Sequence, residues 1–191
     1  MDAFLVSAAV VTLAEIGDKT QLIALLLAAK FRQPVAVIAG MLVATLANHL
    51  VAGFTGAWVT QLLNPQLMRW LLGLGFLGTA AWTLIPDRAD DAQVGRPGLG
   101  AFGATVVTFF LAEIGDKTQL ATAMLAARYA PLAAVVAGTT CGMLIADIPA
   151  VLLGERLTRR IPATLMRTAA ALLFSLLGVV TLLGAGRHFG F

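Results

Sequence analysis

Residues 13–22 read LAEIGDKTQL, and residues 111–120, 98 positions later, read LAEIGDKTQL again. Each copy sets a glutamate, an aspartate and a lysine inside a stretch otherwise apolar enough to lie in a bilayer. Ionisable side chains at that depth are costly to bury and usually mark function. Two identical copies indicate an internal duplication, with the chemistry at the seam between the halves.

The rest of the chain agrees with a lipid setting. Its 191 residues are 59% hydrophobic and 12% charged, with a mean hydropathy of +0.90. A soluble domain carries about 25% charged residues. The fold class expected is therefore an all-α polytopic membrane protein whose partner is the lipid bilayer. The formal charge of +3 would suggest nucleic acid in a soluble chain. Here the basic residues fall mostly in loops, where they set orientation, and no nucleic-acid partner is expected. Cys141 is the single cysteine, so it forms no intramolecular disulfide and is read as a packing residue. The N-terminal run lacks the basic start of a secretory signal and is read as a retained first span.

A membrane-crossing helix needs about 20 largely apolar residues. Six segments qualify: 4–29, 34–57, 67–86, 99–127, 132–154 and 165–186. The repeat register extends past the decapeptide. At the same offset Ala28 and Ala29 match Ala126 and Ala127, Val37 matches Val135, Gly40 matches Gly138 and Leu46 matches Leu144. Three helices therefore repeat. An odd number per unit makes the second copy enter from the opposite side, as in many secondary transporters. The expected organisation is six transmembrane helices as two inverted three-helix repeats: residues 1–86, a linker at 87–98, and residues 99–191.

Loop charge supplies the orientation. The first, third and fifth joints carry Lys30, Arg32, Arg88, Arg96, Arg156, Arg159, Arg160 and Arg167. The opposite side carries Arg69, Arg128 and Arg187. By the positive-inside rule the linker is cytoplasmic and both termini lie outside.

In a continuous helix, residues three and four apart share a face. Glu15 then points with Asp18, and Glu113 with Asp116. Gln21 and Gln119 follow one turn on, and Thr20 and Thr118 add hydroxyls. Lys19 and Lys117 stand four residues from Glu15 and Glu113, within reach of their own glutamates. Unwinding at Gly17 or Gly115 would expose backbone carbonyls as well. Brought together by the two-fold axis, four carboxylates and two ammoniums sum to a formal −2, which one divalent cation balances. Carboxylate, amide and hydroxyl oxygens suit hard cations such as Mn²⁺, Ca²⁺ or Mg²⁺. Mg²⁺ dehydrates reluctantly, which ranks Mn²⁺ and Ca²⁺ above it. The bland alternative is that these charges only pair with one another and hold helices together.

Deeper polar residues differ between the halves. Asn48 and His49 lie in the second span, and Asp147, followed by Pro149, in the fifth. His49 aligns with Asp147 at the repeat offset. Asp147 could be an extra ligand or a proton carrier. His49, with an ordinary pKa of about 6.5, could be a proton relay or a neutral packing residue. Pro149 is expected to kink its helix. Gly73, Gly75, Gly78, Gly178, Gly184 and Gly186 read as close helix packing, and Trp58, Trp70 and Trp82 as interfacial anchors.

The twice-repeated Glu-x-Gly-Asp-Lys-Thr resembles the signature of the GDT1 family, also called UPF0016, cation/Ca²⁺ exchanger-related membrane proteins. It falls on Glu15, Gly17, Asp18, Lys19 and Thr20, and on Glu113, Gly115, Asp116, Lys117 and Thr118. The resemblance covers nearly the whole chain. It implies transport of Mn²⁺, in some members Ca²⁺, in exchange for protons, with export across a bacterial inner membrane. The ion is then substrate, no cofactor is implied, and the protein is not an enzyme. Other readings stay open from the residues alone: an amino-acid-type exporter of the same topology, an intramembrane aspartyl hydrolase, or a structural scaffold.

Overall fold

Leu5, Val51, Phe54, Trp58, Leu172 and Leu176 are each more than half exposed, whereas Glu15, His49, Glu113, Lys117 and Asp147 are at most 1% exposed. Apolar outside and charged inside is the reverse of a soluble domain. It is what a lipid solvent selects, since ionisable groups then face the protein interior. The computed structural model describes residues 2–85, 98–153 and 163–184. The linker at 87–97, the fifth joint with Arg156, Arg159 and Arg160, and Gly186 and Arg187 lie outside the described residues.

Among the described residues the chain is all helical, with eight helices: α1 (Asp2–Glu15), α2 (Lys19–Phe31), α3 (Pro34–Leu62), α4 (Pro65–Thr83), α5 (Gly100–Glu113), α6 (Lys117–Arg128), α7 (Leu132–Leu153) and α8 (Ala163–Leu182). Three contain a stretch long and apolar enough to cross a membrane: α3, α7 and α8. Pro34 and Pro65 open α3 and α4 in the first turn, where a missing N–H costs nothing. Asn64 caps α4 by accepting from the Leu67 N–H at 2.8 Å. Helix α7 continues through Pro149.

The segments expected as continuous spans at 4–29 and 99–127 are each two helices. Gly17 and Gly115 adopt φ of +83° and +75°, a left-handed conformation that ends a helix. The next residue is extended, Asp18 at φ −89°, ψ 173° and Asp116 at φ −79°, ψ 163°, and stands at the N-cap position of a new helix, where the Asp116 side chain accepts from the Thr118 N–H and the Asp18 side chain makes no capping bond. A helix rises about 1.5 Å per residue, so each 12–14-residue piece falls short of a roughly 30 Å hydrocarbon core. The one-face arrangement of Glu15 with Asp18, and of Glu113 with Asp116, is corrected accordingly. Each pair stands at the facing ends of two half-helices.

Packing between the halves is reciprocal. Helix α1 lies on α7, and α5 on α3. A Cβ added at Gly40 would lie 2.8 Å from the Phe102 carbonyl oxygen and from Thr105 Cβ. A Cβ at Gly138 would meet the Phe4 carbonyl oxygen and Ser7 Cβ. Gly40 and Gly138, Phe4 and Phe102, and Ser7 and Thr105 are all related by the 98-residue offset. Contacts that map onto themselves when the halves exchange are those of an isologous, two-fold interface. Two apolar clusters flank the seam. One centres on Phe76, Leu125 and Phe174, the other on Leu27, Met41 and Phe109.

Helices α4 and α8 meet through Gly73 and Gly178, each facing the other's carbonyl, and Gly75 abuts the Met124 sulfur. Gly78 has nothing within 4 Å of a would-be Cβ, so the packing reading fails there: it lies on an open face. Gly184 follows α8 at φ +67°. Trp58, Trp70 and Trp82 are exposed.

Candidate metal centre

The two breaks are built alike. The Asp18 N–H donates to the Glu15 carbonyl at 2.9 Å, and the Asp116 N–H to the Glu113 carbonyl at 3.1 Å. Breaking a helix leaves backbone groups without intrahelical partners. Here the glycine amide is met by the glutamine four residues on. Gly17 N–H donates to Gln21 Oε1 (3.2 Å) and Gly115 N–H to Gln119 Oε1 (2.8 Å). The glutamine nitrogens then tie each break to the other half. Gln21 Nε2 donates to the Ala146 carbonyl at 2.9 Å, and Gln119 Nε2 to Asn48 Oδ1 at 3.4 Å. Ala146 and Asn48 are equivalents in the repeat. Asn48 Nδ2 in turn donates to the Phe110 carbonyl at 3.1 Å. The glutamine oxygens, expected from sequence as ligands, thus brace the breaks.

Across the seam the ion pairs are crossed. Lys19 Nζ stands 2.9 Å from Asp116 Oδ1, and Lys117 Nζ 3.1 Å from Asp18 Oδ1. The expected pairing of each lysine with its own glutamate is corrected. The i to i+4 spacing presumes a continuous helix, and each lysine is the first residue of a new one. Both aspartates receive an ammonium, which is not the proton-sharing geometry of an aspartyl hydrolase dyad.

One oxygen each from Glu15, Asp18 and Asp116 lie within 4.8 Å of one another, all buried. Oxygens around a Ca²⁺ at 2.3–2.6 Å stand up to about 5 Å apart, so a single hard cation can bridge these three. Around them the identical peptides are wired differently. Thr118 Oγ1 lies 3.0 Å from Glu113 Oε2 and 3.2 Å from Asp116 Oδ2, and the Thr118 N–H donates to Asp116 Oδ2 at 3.3 Å. In the first half, neither Glu15 oxygen nor Thr20 Oγ1 has a hydrogen-bond partner among the described residues. A buried polar group left unmatched is costly, and Glu15 concentrates that cost at the site.

Asp147, in α7, is fully buried, and neither carboxylate oxygen has a hydrogen-bond partner among the described residues. His49, its repeat equivalent, is equally buried, but its Nδ1 faces Thr140 Oγ1 at 3.4 Å instead of a carboxylate. Sequence reasoning missed the Ala146 carbonyl and the crossed lysines. The repeat register carries a signal for both, because Lys19–Asp116 and Lys117–Asp18, and likewise Gln21–Ala146 and Gln119–Asn48, are equivalent at the 98-residue offset.

A family model described as "Divalent cation/proton antiporter GDT1" matches residues 3–91 and 101–188. A Vibrio cholerae protein named "Putative manganese exporter" is 46% identical over 182 residues, covering 95% of this chain and 90% of that one. An Arabidopsis thaliana protein, "GDT1-like protein 5", is 27% identical over 96% of each chain. A GDT1-like protein of Synechocystis is 28% identical over 95% of this chain and 97% of its own. No solved structure matches the chain.

Proposed function

Since the chain belongs to the GDT1 family of divalent cation/proton antiporters, we propose that it exports Mn²⁺ from the cytoplasm in exchange for protons. The observation that carries this reading is the trio of buried carboxylate oxygens on Glu15, Asp18 and Asp116, within 4.8 Å, where two broken helices face each other. Half-helix ends meeting at mid-membrane are how secondary transporters hold ions.

In this reading the chain crosses the membrane six times, with α1–α2 and α5–α6 each making one crossing. The repeats 1–86 and 99–191 are inverted about an axis in the membrane plane, and the reciprocal Gly40 and Gly138 contacts support that. Glu15, Asp18 and Asp116 take the ion, with Glu113 and Asp147 completing an all-oxygen, anionic lining. Gln21 and Gln119 hold the breaks, and Asn48 anchors Gln119. Hard oxygen donors accept Mn²⁺ and Ca²⁺ alike. The manganese named for the 46% identical relative favours Mn²⁺. The carboxylates that carry no ammonium, Glu15, Glu113 and Asp147, can hold either a share of the cation or a proton, so protons arriving from outside displace the ion. The halves then rock to expose the site on alternate sides. The linker is cytoplasmic, both termini lie outside, and the setting is the plasma membrane.

Purified protein in liposomes tests this. Mn²⁺ flux should be driven by an opposed pH gradient and collapse when a protonophore removes it. Flux indifferent to the gradient would rule out proton coupling, and selective movement of Ca²⁺ would reassign the ion.

A further inference from the structure

Asp116 has donors at both of its oxygens. Its Oδ1 carries the Lys19 ammonium at 2.9 Å, and its Oδ2 accepts from the Thr118 amide at 3.3 Å and lies 3.2 Å from the Thr118 hydroxyl. Yet Asp116 also belongs to the trio whose oxygens a cation would bridge. A cation drawn onto Asp116 meets the Lys19 ammonium already on Oδ1, and two like charges at one buried carboxylate repel strongly. The Thr118 amide is fixed in the first turn of α6, whereas an ammonium on a four-carbon stem is free to swing.

The two crossed lysines are not equally able to leave. The Lys19 side chain is 23% exposed, and the Lys117 side chain 2%. The Lys19 side chain reaches the surface of the molecule. Lys117 is enclosed by protein, and moving a buried charge away from its partner is expensive. The identical sequences therefore hold one lysine that can exchange and one that stays.

We propose that Lys19 is a tethered stand-in for the cargo: its ammonium neutralises Asp116 while the site is ion-free and is expelled when the divalent cation binds. The inference rests on reading the site as a cation carrier. It gives the ion-free protein a means of reorienting without exposing an uncompensated carboxylate to the low-dielectric barrier. Lys117 serves instead as a fixed strut between Asp18 and the second motif.

The test compares K19Q, K19R and K117Q with wild type, using Mn²⁺ binding by calorimetry and both net flux and Mn²⁺/Mn²⁺ exchange in proteoliposomes. Losing a competing charge-assisted bond should tighten Mn²⁺ binding to K19Q roughly tenfold. Net flux in K19Q should fall, because the empty carrier has lost its internal cation, whereas exchange, which never passes through the empty state, persists. K19R restores net flux. K117Q removes the same formal charge but does not tighten binding comparably. Equal tightening in K19Q and K117Q would reduce the effect to bulk charge and overturn the assignment. So would loss of exchange together with net flux in a K19Q that still binds Mn²⁺. Wild type needs no variant for a second readout. Acylation by a small amine-reactive reagent, read by mass spectrometry, should rise at Lys19 on saturation with Mn²⁺ and stay constant at Lys117. Unchanged Lys19 reactivity also overturns the proposal. Wild type that neither binds nor moves Mn²⁺ would sink the cation-carrier reading itself, and the lysine's role with it.

Discussion

Glu15 and Glu113 occupy the same place in identical decapeptides, but Glu113 is bonded to Thr118 and Glu15 has no hydrogen-bond partner among the described residues. Glu15→Gln should therefore abolish Mn²⁺ transport while sparing the ion-free fold, since no internal bond is lost. A ligand at 100 times its Kd stabilises the folded state by about 2.7 kcal/mol. Thermal melting in detergent should show that gain for wild type on adding Mn²⁺ and lose it for E15Q. A Mn²⁺-induced shift of full size in E15Q would remove Glu15 from the ligand set. The threonines make a second contrast. Thr118→Val strips a donor from two buried carboxylates and should cost about 1–3 kcal/mol. Thr20→Val deletes a hydroxyl that has no hydrogen-bond partner among the described residues and should cost much less. Equal losses in the two melting curves would contradict the asymmetric wiring. At this scale the sequence shows which residues carry charge and at what offset. It cannot show that two identical peptides are wired differently, because identical residues carry no local difference from which to read it.

The break at Gly115 is the element-level feature on which the site depends. A Cβ there meets nothing within 4 Å, so Gly115→Ala is free of clash and isolates the cost of a left-handed backbone, about 1–2 kcal/mol for an L-residue. The melting temperature should fall accordingly, and Mn²⁺ affinity with it, as Asp116 is pulled toward a continuous helix. Wild-type affinity in G115A would mean that the break is not needed to present Asp116. Close approach gives an independent comparison. Gly40→Ala would press a methyl to 2.8 Å from the Phe102 carbonyl oxygen and should cost about 1–3 kcal/mol as overpacking. Gly78→Ala points into open space and should be neutral or slightly stabilising. The positions of the helices were readable from apolar run length and from Pro34, Pro65 and the polar joints. Unwinding at Gly17 or Gly115 was open from the sequence but not decided by it, since a lone glycine in an apolar run is usually tolerated within a helix. Only its left-handed φ, followed by an extended aspartate, shows it ending one. Reading α1 and α2 as one continuous helix also produced the mistaken lysine–glutamate pairing, because i+4 arithmetic fails across a break.

At the scale of the molecule, the seam repeats itself. Lys19 to Asp116 is answered by Lys117 to Asp18, and Gly40 on Phe102 by Gly138 on Phe4. The 98-residue register holds across these contacts. That register fails at α4 and α8, where Gly73 meets Gly178, 105 positions on. Those helices pack mainly on each other and carry none of the site's carboxylates. If the halves are inverted, consecutive joints must lie on opposite faces of the membrane, and this can be read directly. Gln33 precedes α3 and Gln66 lies in the first turn of α4, both exposed. With Cys141 changed to Ser to clear the background, single cysteines at these two positions report sidedness. In intact cells a membrane-impermeant maleimide should label Gln66→Cys, while Gln33→Cys should react only after the membrane is opened. The face that reacts first also tests the charge bias of eight basic residues against three, which puts Gln33 in the cytoplasm. Labelling of both positions from one face would mean that α3 does not cross. An inverted repeat could not survive that result, because the opposed half-helix ends and the shared Glu15, Asp18 and Asp116 site depend on each half entering from its own side.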